Sequence, residues 1–266
     1  MSARPLIVIL CCLGVGIGVL VGTYPQPAVE LAEDTQVERS QSNATFSNTQ
    51  SWDPALLTLT HTSSTLLHQD QYAALTLPSP PENVSTTTTA ELQVLHTLMN
   101  VRTPDNLQAI NRELTLPATV FGGATYAMLT STSTYPQTRS LLHTVLRDFE
   151  PIILQKKRQF DRVRPSKLDP GLTTAIAVPR HPSYPSGHAA QSHLIALILS
   201  DSNPTQAENY QESAAAIAFN REIAGVHYRS DTWAGRSLAE QYYHFLQTNE
   251  WYQTQLELAQ KEWPNL

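Results

Sequence analysis

Three short motifs hold the residues of this chain best suited to chemistry on an anion. They are Lys157-x6-Arg164-Pro165, then Pro185-Ser186-Gly187-His188, then Arg221-x5-His227-x3-Asp231. Within residues 157–231 they supply three cations, two histidines and one carboxylate. Fixed cations can stabilise charge on the equatorial oxygens of a phosphoryl group, and a neutral imidazole can attack phosphorus. The set is an inventory for moving a phosphoryl group without a metal. No H-x-x-x-H pair or carboxylate cluster marks a catalytic metal site.

Each motif also has a plainer reading. Lys157 and Arg164 are seven residues apart, so on a continuous helix they share a face with Ile153 and Phe160. Two cations on an inward face need an anionic partner, because unpaired buried charge is costly. The plainer reading pairs Lys157 with Asp161 and leaves Lys156, Arg158 and Arg162 on a solvated basic face. Ser186 and Gly187 precede an apolar run, so the backbone N–H groups of a helix start point outward there, where phosphate binds well. Gly187 lets an anion approach the backbone, and His188 stands in the first turn. The plainer reading is a serine cap beside an incidental histidine. Arg221 lies between Ile217 and Ala224 on a core-facing stripe. Asp231 follows His227 by four residues; a carboxylate on Nδ1 leaves Nε2 as a free lone pair, as a nucleophile requires. The plainer reading is a His–Asp pair at a helix end. His181 is placed to line the same pocket and His193 reads as core. His61, His68, His96, His143 and His244 carry no partner signature.

The elements that must position these residues are helical. Leu92, Leu95, Leu98 and Met99 mark one face, and Thr103-Pro104 reads as a cap with proline at the first helical position. Leu142, Val145, Leu146 and Phe149 mark another, which Pro151 breaks or restarts before the pattern runs on to about Val163. Ala189 to Leu199 is apolar nearly all round and predicts a central buried helix. Tyr210, Ala214, Ile217, Ala218 and Ala224 give a further face ended by Gly225, and Ser230 can cap a last long helix through Leu238, Tyr242 and Phe245. No period-2 strand pattern follows residue 90, so the fold reads as all-α.

The 266 residues suffice for one sizeable core. Net charge is −6, with 41% hydrophobic and 15% charged residues, so no surplus of basic residues suggests nucleic acid as a partner. Residues 1–23 carry Arg4 and an apolar run from Leu6 to Val21; they read as an export signal or an uncleaved N-terminal anchor. Export to the periplasm or beyond follows from either. Both cysteines, Cys11 and Cys12, lie in this leader, so the mature part has no disulfide. Residues 24–77 read as a low-complexity linker or arm, with Arg39 to Gln50 a disordered tether and Trp52–Leu57 and Leu66–Leu77 able to pack. Residues 78–266 form the catalytic domain.

The three motifs resemble the signature of the type 2 phosphatidic acid phosphatase superfamily, and most of all its bacterial class A non-specific acid phosphatases. The resemblance runs from the proline-rich stretch at Pro78 through Ser183-Tyr184-Pro185-Ser186-Gly187-His188 to the tail Asn249–Trp263. It implies a compact helical bundle and a metal-independent acid phosphatase that hydrolyses phosphate monoesters through a phosphohistidine. Lys157, Arg164, Arg221, Ser186 and Gly187 would hold the phosphate, His227 would attack, Asp231 would orient His227, and His188 would protonate the leaving group. The family's usual Ser before the third-motif Arg is Asn220 here. The superfamily also contains membrane lipid phosphatases, which need several apolar spans, and vanadium-dependent haloperoxidases, for which vanadate would be the cofactor. In the phosphatase reading no cofactor is needed and vanadate is an inhibitor. Partners are then small phosphomonoesters, with a membrane reached only through an uncleaved leader; a homo-oligomer is left open.

Overall fold

The computed structural model describes residues 42–114 and 135–263. The leader, both cysteines and the signal-or-anchor question lie outside them. The described residues are helical, with one isolated β-bridge between Thr45 and Arg162 and no strand among them. The helices are α1 (Phe46–Thr49), α2 (Pro54–Leu59), α3 (Gln69–Ala74), α4 (Thr86–Asn100), α5 (Pro104–Arg112), α6 (Pro136–Phe160), α7 (Pro165–Leu168), α8 (Gly187–Ser202), α9 (Ala207–Ile223), α10 (Arg229–Leu246) and α11 (Glu250–Gln260).

Helix α8 is the hub. It packs on α9, α10, α6 and α11, and its Leu194, Ile195, Ile198 and Leu199 are fully buried. The main core adds Leu141, Val145, Phe149 and Ile152 from α6 and Leu238, Tyr242 and Leu246 from α10. Phe149 and Tyr242 stack with ring centroids 4.6 Å apart. Helix α10 approaches the start of α8 at Gly235. A Cβ there would lie 2.4 Å from the Ser186 carbonyl oxygen and 3.1 Å from Ala189 Cβ. Only a residue without a side chain permits that crossing.

The structure changes three local expectations. Pro151 neither breaks nor restarts a helix: α6 runs through it. A helix-interior proline costs roughly 3 kcal/mol, but Phe149, Ile152, Ile153 and Leu154 are buried around it, each worth roughly 1.5–3 kcal/mol, so packing wins. Ser230 does not cap α10. The cap position is Tyr228, whose N–H donates to Asp231 Oδ2 at 3.1 Å, while Ser230 N–H and Oγ–H donate to Glu91. The stretch read as a tether from Arg39 to Gln50 contains α1, held by Phe46 N–H to Asp161 O at 2.8 Å. The rest of the arm also docks: Ser64 and Thr65 donate to the buried Asp148 carboxylate, which takes Tyr242 Oη–H from α10 as well. By contrast α5 begins as expected, with Thr103 capping Asn106 N–H and Pro104 at the first helical position.

Candidate active site

Lys157 and Arg164 converge, but not along one helix. Asp161 adopts φ 46° and ends α6, and its carboxylate takes Ser47 N–H and Oγ–H instead of pairing with Lys157. Arg164 follows in extended backbone, as a residue before proline prefers. Lys157 stays on the last turn of α6 and is 1% exposed. Its Nζ donates to the carbonyls of Pro182, Ser183 and Pro185, at 2.9, 3.1 and 2.5 Å. Three acceptors use all three ammonium protons, although burial and the Arg164 charge push its pKa well down. Lys157 therefore ties down the loop that leads into α8.

That loop ends at Ser186, the N-cap of α8, whose Oγ accepts Ala189 N–H at 3.4 Å. Its own N–H donates to Asp231 O at 2.9 Å. The amides of Gly187 and His188 meet no acceptor among the described residues. A Cβ at Gly187 would make ordinary contacts with Ile153 and Lys157 at 3.8 and 3.9 Å, so the protein itself does not demand glycine there.

Arg164 is fully buried and its guanidinium faces the histidine of the third motif. Nη1 donates to Val226 O at 2.7 Å and to His227 Nε2 at 3.1 Å; Nε and Nη2 donate to His181 O and His181 Nδ1, both at 3.0 Å. His227 Nδ1 lies 3.0 Å from Asp231 Oδ2. A guanidinium can only donate, so Nε2 carries the lone pair and Nδ1 the proton. Burial first, then the Arg164 charge, hold the His227 pKa well below its ordinary value, and the imidazole is neutral.

Asp231 is buried and accepts from His227, Tyr228 N–H, Ser183 Oγ–H and Arg162 Nη1, the last at 2.7 Å. Burial alone would raise its pKa, but Arg162 and the hydrogen bonds from His227 and Ser183 outweigh it and keep the carboxyl below the usual range. Arg162 is thus no part of a solvated basic face. It is 4% exposed, bridges Asp231 and Glu91, and stacks over the Tyr228 ring at 3.9 Å. Lys156 and Arg158 also have partners, Leu75 O and Thr60 Oγ1.

Arg221 occupies the last turn of α9. Nη2 donates to Ile110 O and to Glu113 Oε2, while Nε and Nη1 are buried with no partner among the described residues. Asn220 Nδ2 donates to Glu113 Oε1 at 2.5 Å. Burial raises the Glu113 pKa against the pull of Arg221 and Asn220. The Glu113 carbonyl accepts from His188 Nε2 at 2.8 Å. This contact places the neutral proton of His188 on Nε2 and leaves Nδ1 as the exchangeable nitrogen. Burial and the Arg221 charge lower the His188 pKa to about 4.

A cavity of about 470 Å³ is lined by Lys157, His181, Gly187, His188, Arg221 and His227, together with Ile153, Leu154 and Val226. Arg164 and Asp231 do not line it but hold His181 and His227, and Ser186 caps the helix that carries Gly187 and His188. Glu113, Arg162 and Gly235 were not singled out from the sequence as site residues. A buried-charge argument applied to Arg162 in Arg162-Val163-Arg164-Pro165 is the one signal that could have found any of them. His193 pairs with Glu240 at 3.0 Å, and His96 with Asp169 at 2.7 Å, a partner its sequence context did not signal.

Known proteins are similar to the chain over the stretch that holds these residues. Residues 137–246, which carry all three motifs, match the PAP2 superfamily. A non-specific acid phosphatase of Providencia stuartii is 29% identical over 137 residues, 49% of this chain and 55% of that protein. A non-specific acid phosphatase of Salmonella typhi is 38% identical over 80 residues, 30% of this chain and 32% of that protein. The matched stretches thus span less than two thirds of either relative. The fold is shared with a bacterial vanadium-dependent iodoperoxidase, at TM-score 0.56 and 14% identity over 80% of this chain and 64% of that one. A bacterial vanadium-dependent chloroperoxidase gives the same TM-score, 0.56, at 11% identity over 80% of this chain and 56% of that one. Among the described residues no helix is long and apolar enough to cross a membrane.

Proposed function

We propose that the chain is a metal-independent acid phosphatase that hydrolyses phosphate monoesters through a phosphohistidine on His227. One observation carries this reading: Arg221 Nε and Nη1 are buried donors without acceptors among the described residues, in the cavity that also holds a neutral, oriented imidazole. Unmet buried donors are costly, and a phosphate oxyanion would satisfy them.

The phosphate would rest on Arg221 and the free amides of Gly187 and His188, with the positive end of α8 behind it. Its arrival would exchange the Arg164 Nη1 contact on His227 Nε2 for one to a phosphate oxygen. His227 Nε2 then attacks phosphorus, the ester P–O bond breaks, and His188 Nδ1–H delivers its proton to the leaving oxygen. In the second step His188, now neutral, takes a proton from water as that water attacks the phosphohistidine. Asp231 holds the developing charge on His227, and Arg162 keeps Asp231 ionised. The first step needs His188 protonated and His227 neutral, so the reaction favours acid. The acid phosphatases it resembles support this reading, and their bacterial setting supports a periplasmic or secreted location. Small monoesters are the substrates, and no nucleic acid or resident cofactor is required.

The donors that suit phosphate would also hold vanadate, which in a haloperoxidase supplies the peroxide chemistry. Phosphate release from a panel of monoesters, measured after exhaustive treatment with EDTA, tests the proposal. Turnover should be unchanged; loss that a divalent metal restores would reject the mechanism.

A further inference from the structure

We propose that His181 is a positioning residue of this site: its Nδ1 accepts an N–H of Arg164 and sets the guanidinium against His227. The inference rests on the phosphatase reading above for its kinetic consequence and on geometry for its assignment.

Arg164 is fully buried, and its side chain makes four contacts. Val226 O and the backbone oxygen of His181 hold Nη1 and Nε. The remaining anchor is the His181 ring, 3.0 Å from Nη2. Because the guanidinium can only donate, Nδ1 must be bare and the ring proton must sit on Nε2. The 3.2 Å approach of Nδ1 to Pro182 O is then a close contact and not an N–H···O bond. A protonated His181 would set an N–H against an N–H; burial, Lys157 and Arg164 keep it neutral.

The ring is held from its other side by the N-terminal arm. Trp52 lies against it with centroids 6.4 Å apart and planes tilted by 43°. Asp53 N–H donates to Arg180 O at 2.8 Å, and Arg180 Nη2 donates to Trp52 O at 3.3 Å, so the arm is tied to the residue before His181. Lys157 fixes the residue after it through Pro182 O. The imidazole is therefore fixed in place to receive Nη2, and an apolar ring in its position would leave a buried donor unmet. That cost is relieved if Arg164 turns to another acceptor, which takes it from its place beside His227.

Two substitutions separate acceptance from bulk. His181→Phe keeps a ring against Trp52 and removes the acceptor. His181→Asn gives up the ring and puts a carbonyl oxygen near the Nδ1 position. For His181→Phe, the KM for p-nitrophenyl phosphate and the vanadate inhibition constant should both rise about tenfold, while His181→Asn stays within about threefold of the parent. A purely packing role predicts the reverse order. Vanadate binding followed by calorimetry reads the same geometry without turnover. A parent protein that binds vanadate yet releases no phosphate rejects the phosphatase reading alone. Equal vanadate affinity in the parent, Phe and Asn forms rejects the His181 assignment alone. If the Phe form does not fold, His181→Ala takes its place, and an Ala form binding vanadate as tightly as the Asn form overturns the proposal.

Discussion

Arg164 Nη1 stands 3.1 Å from His227 Nε2, so the lone pair proposed to attack phosphorus is met by a guanidinium N–H. With Asp231 on Nδ1, the imidazole has one tautomer available to it. The pairing keeps the imidazole neutral and oriented, and in the proposed reaction it places a cation where phosphate oxygens would come.

Asp231→Asn tests the tautomer. The amide can donate to Nδ1, which moves the imidazole proton to Nε2 and sets it against Arg164. The turnover number should fall on the order of 1,000- to 10,000-fold, as in a Ser–His–Asp triad with the same change, with KM little altered. Turnover within tenfold of the parent would mean that Asp231 does not set the tautomer. The measurement is steady-state kinetics on the folded variant.

His188 should reveal itself by leaving group and by pH. His188→Ala should lose on the order of 100- to 10,000-fold on alkyl phosphates and far less on p-nitrophenyl phosphate in the first step, since that leaving group barely needs a proton. The group is held at about pKa 4, so its acid form grows as pH falls from 7 toward 4. For the parent, kcat/KM on alkyl phosphates should rise over that window and then level, with a shallower slope on p-nitrophenyl phosphate. Equal slopes on both esters would remove His188 from the acid role.

Gly235 lies outside the cavity, yet its replacement should reach the site. In Gly235→Ala the new Cβ meets a backbone oxygen, Ser186 O, at 2.4 Å, and backbone cannot rotate away as a side chain can. The expected loss is about 1–3 kcal/mol of stability, read as a lower unfolding midpoint, and a higher KM as the start of α8 shifts. An unchanged midpoint and KM would show that α8 and α10 part at no cost.

What was legible in the sequence followed local physics. The all-round apolar run of α8, the Thr103-Pro104 start of α5 and the Gly225 stop after α9 each depend on residues a few positions apart, and each stands where expected; Gly225 has φ 74°. The motif residues are legible from their chemistry, but the convergence of Lys157 and Arg164 is not a matter of helix periodicity. They meet because the chain turns at Asp161, not because a helix continues. Arg162 looked solvated because its partners, Glu91 and Asp231, are 71 and 69 residues away. Glu113 acts through Arg221, 108 residues on, and Gly235 through Ser186 on another helix start. Local patterns carry no record of such pairings. The same holds for Ser47, Ser64 and Thr65, polar residues that look unstructured until Asp161 and Asp148 receive them.

Vanadate separates the two chemistries that the fold neighbours raise. It can adopt the five-coordinate geometry of phosphoryl transfer, so it should inhibit phosphate release competitively. Halide-dependent peroxide consumption should stay at background in saturating vanadate. Robust peroxidation without phosphatase activity would favour the haloperoxidase alternative.

The central claim is the covalent intermediate on His227. Trapping by a rapid alkaline, denaturing quench, with p-nitrophenyl phosphate labelled in its phosphate, tests it directly. The parent should carry acid-labile label during turnover, His188→Ala should accumulate more of it because the water step loses its base, and His227→Ala should carry none. Label retained on His227→Ala, or turnover by the parent and by His227→Ala at equal rates, would contradict the account.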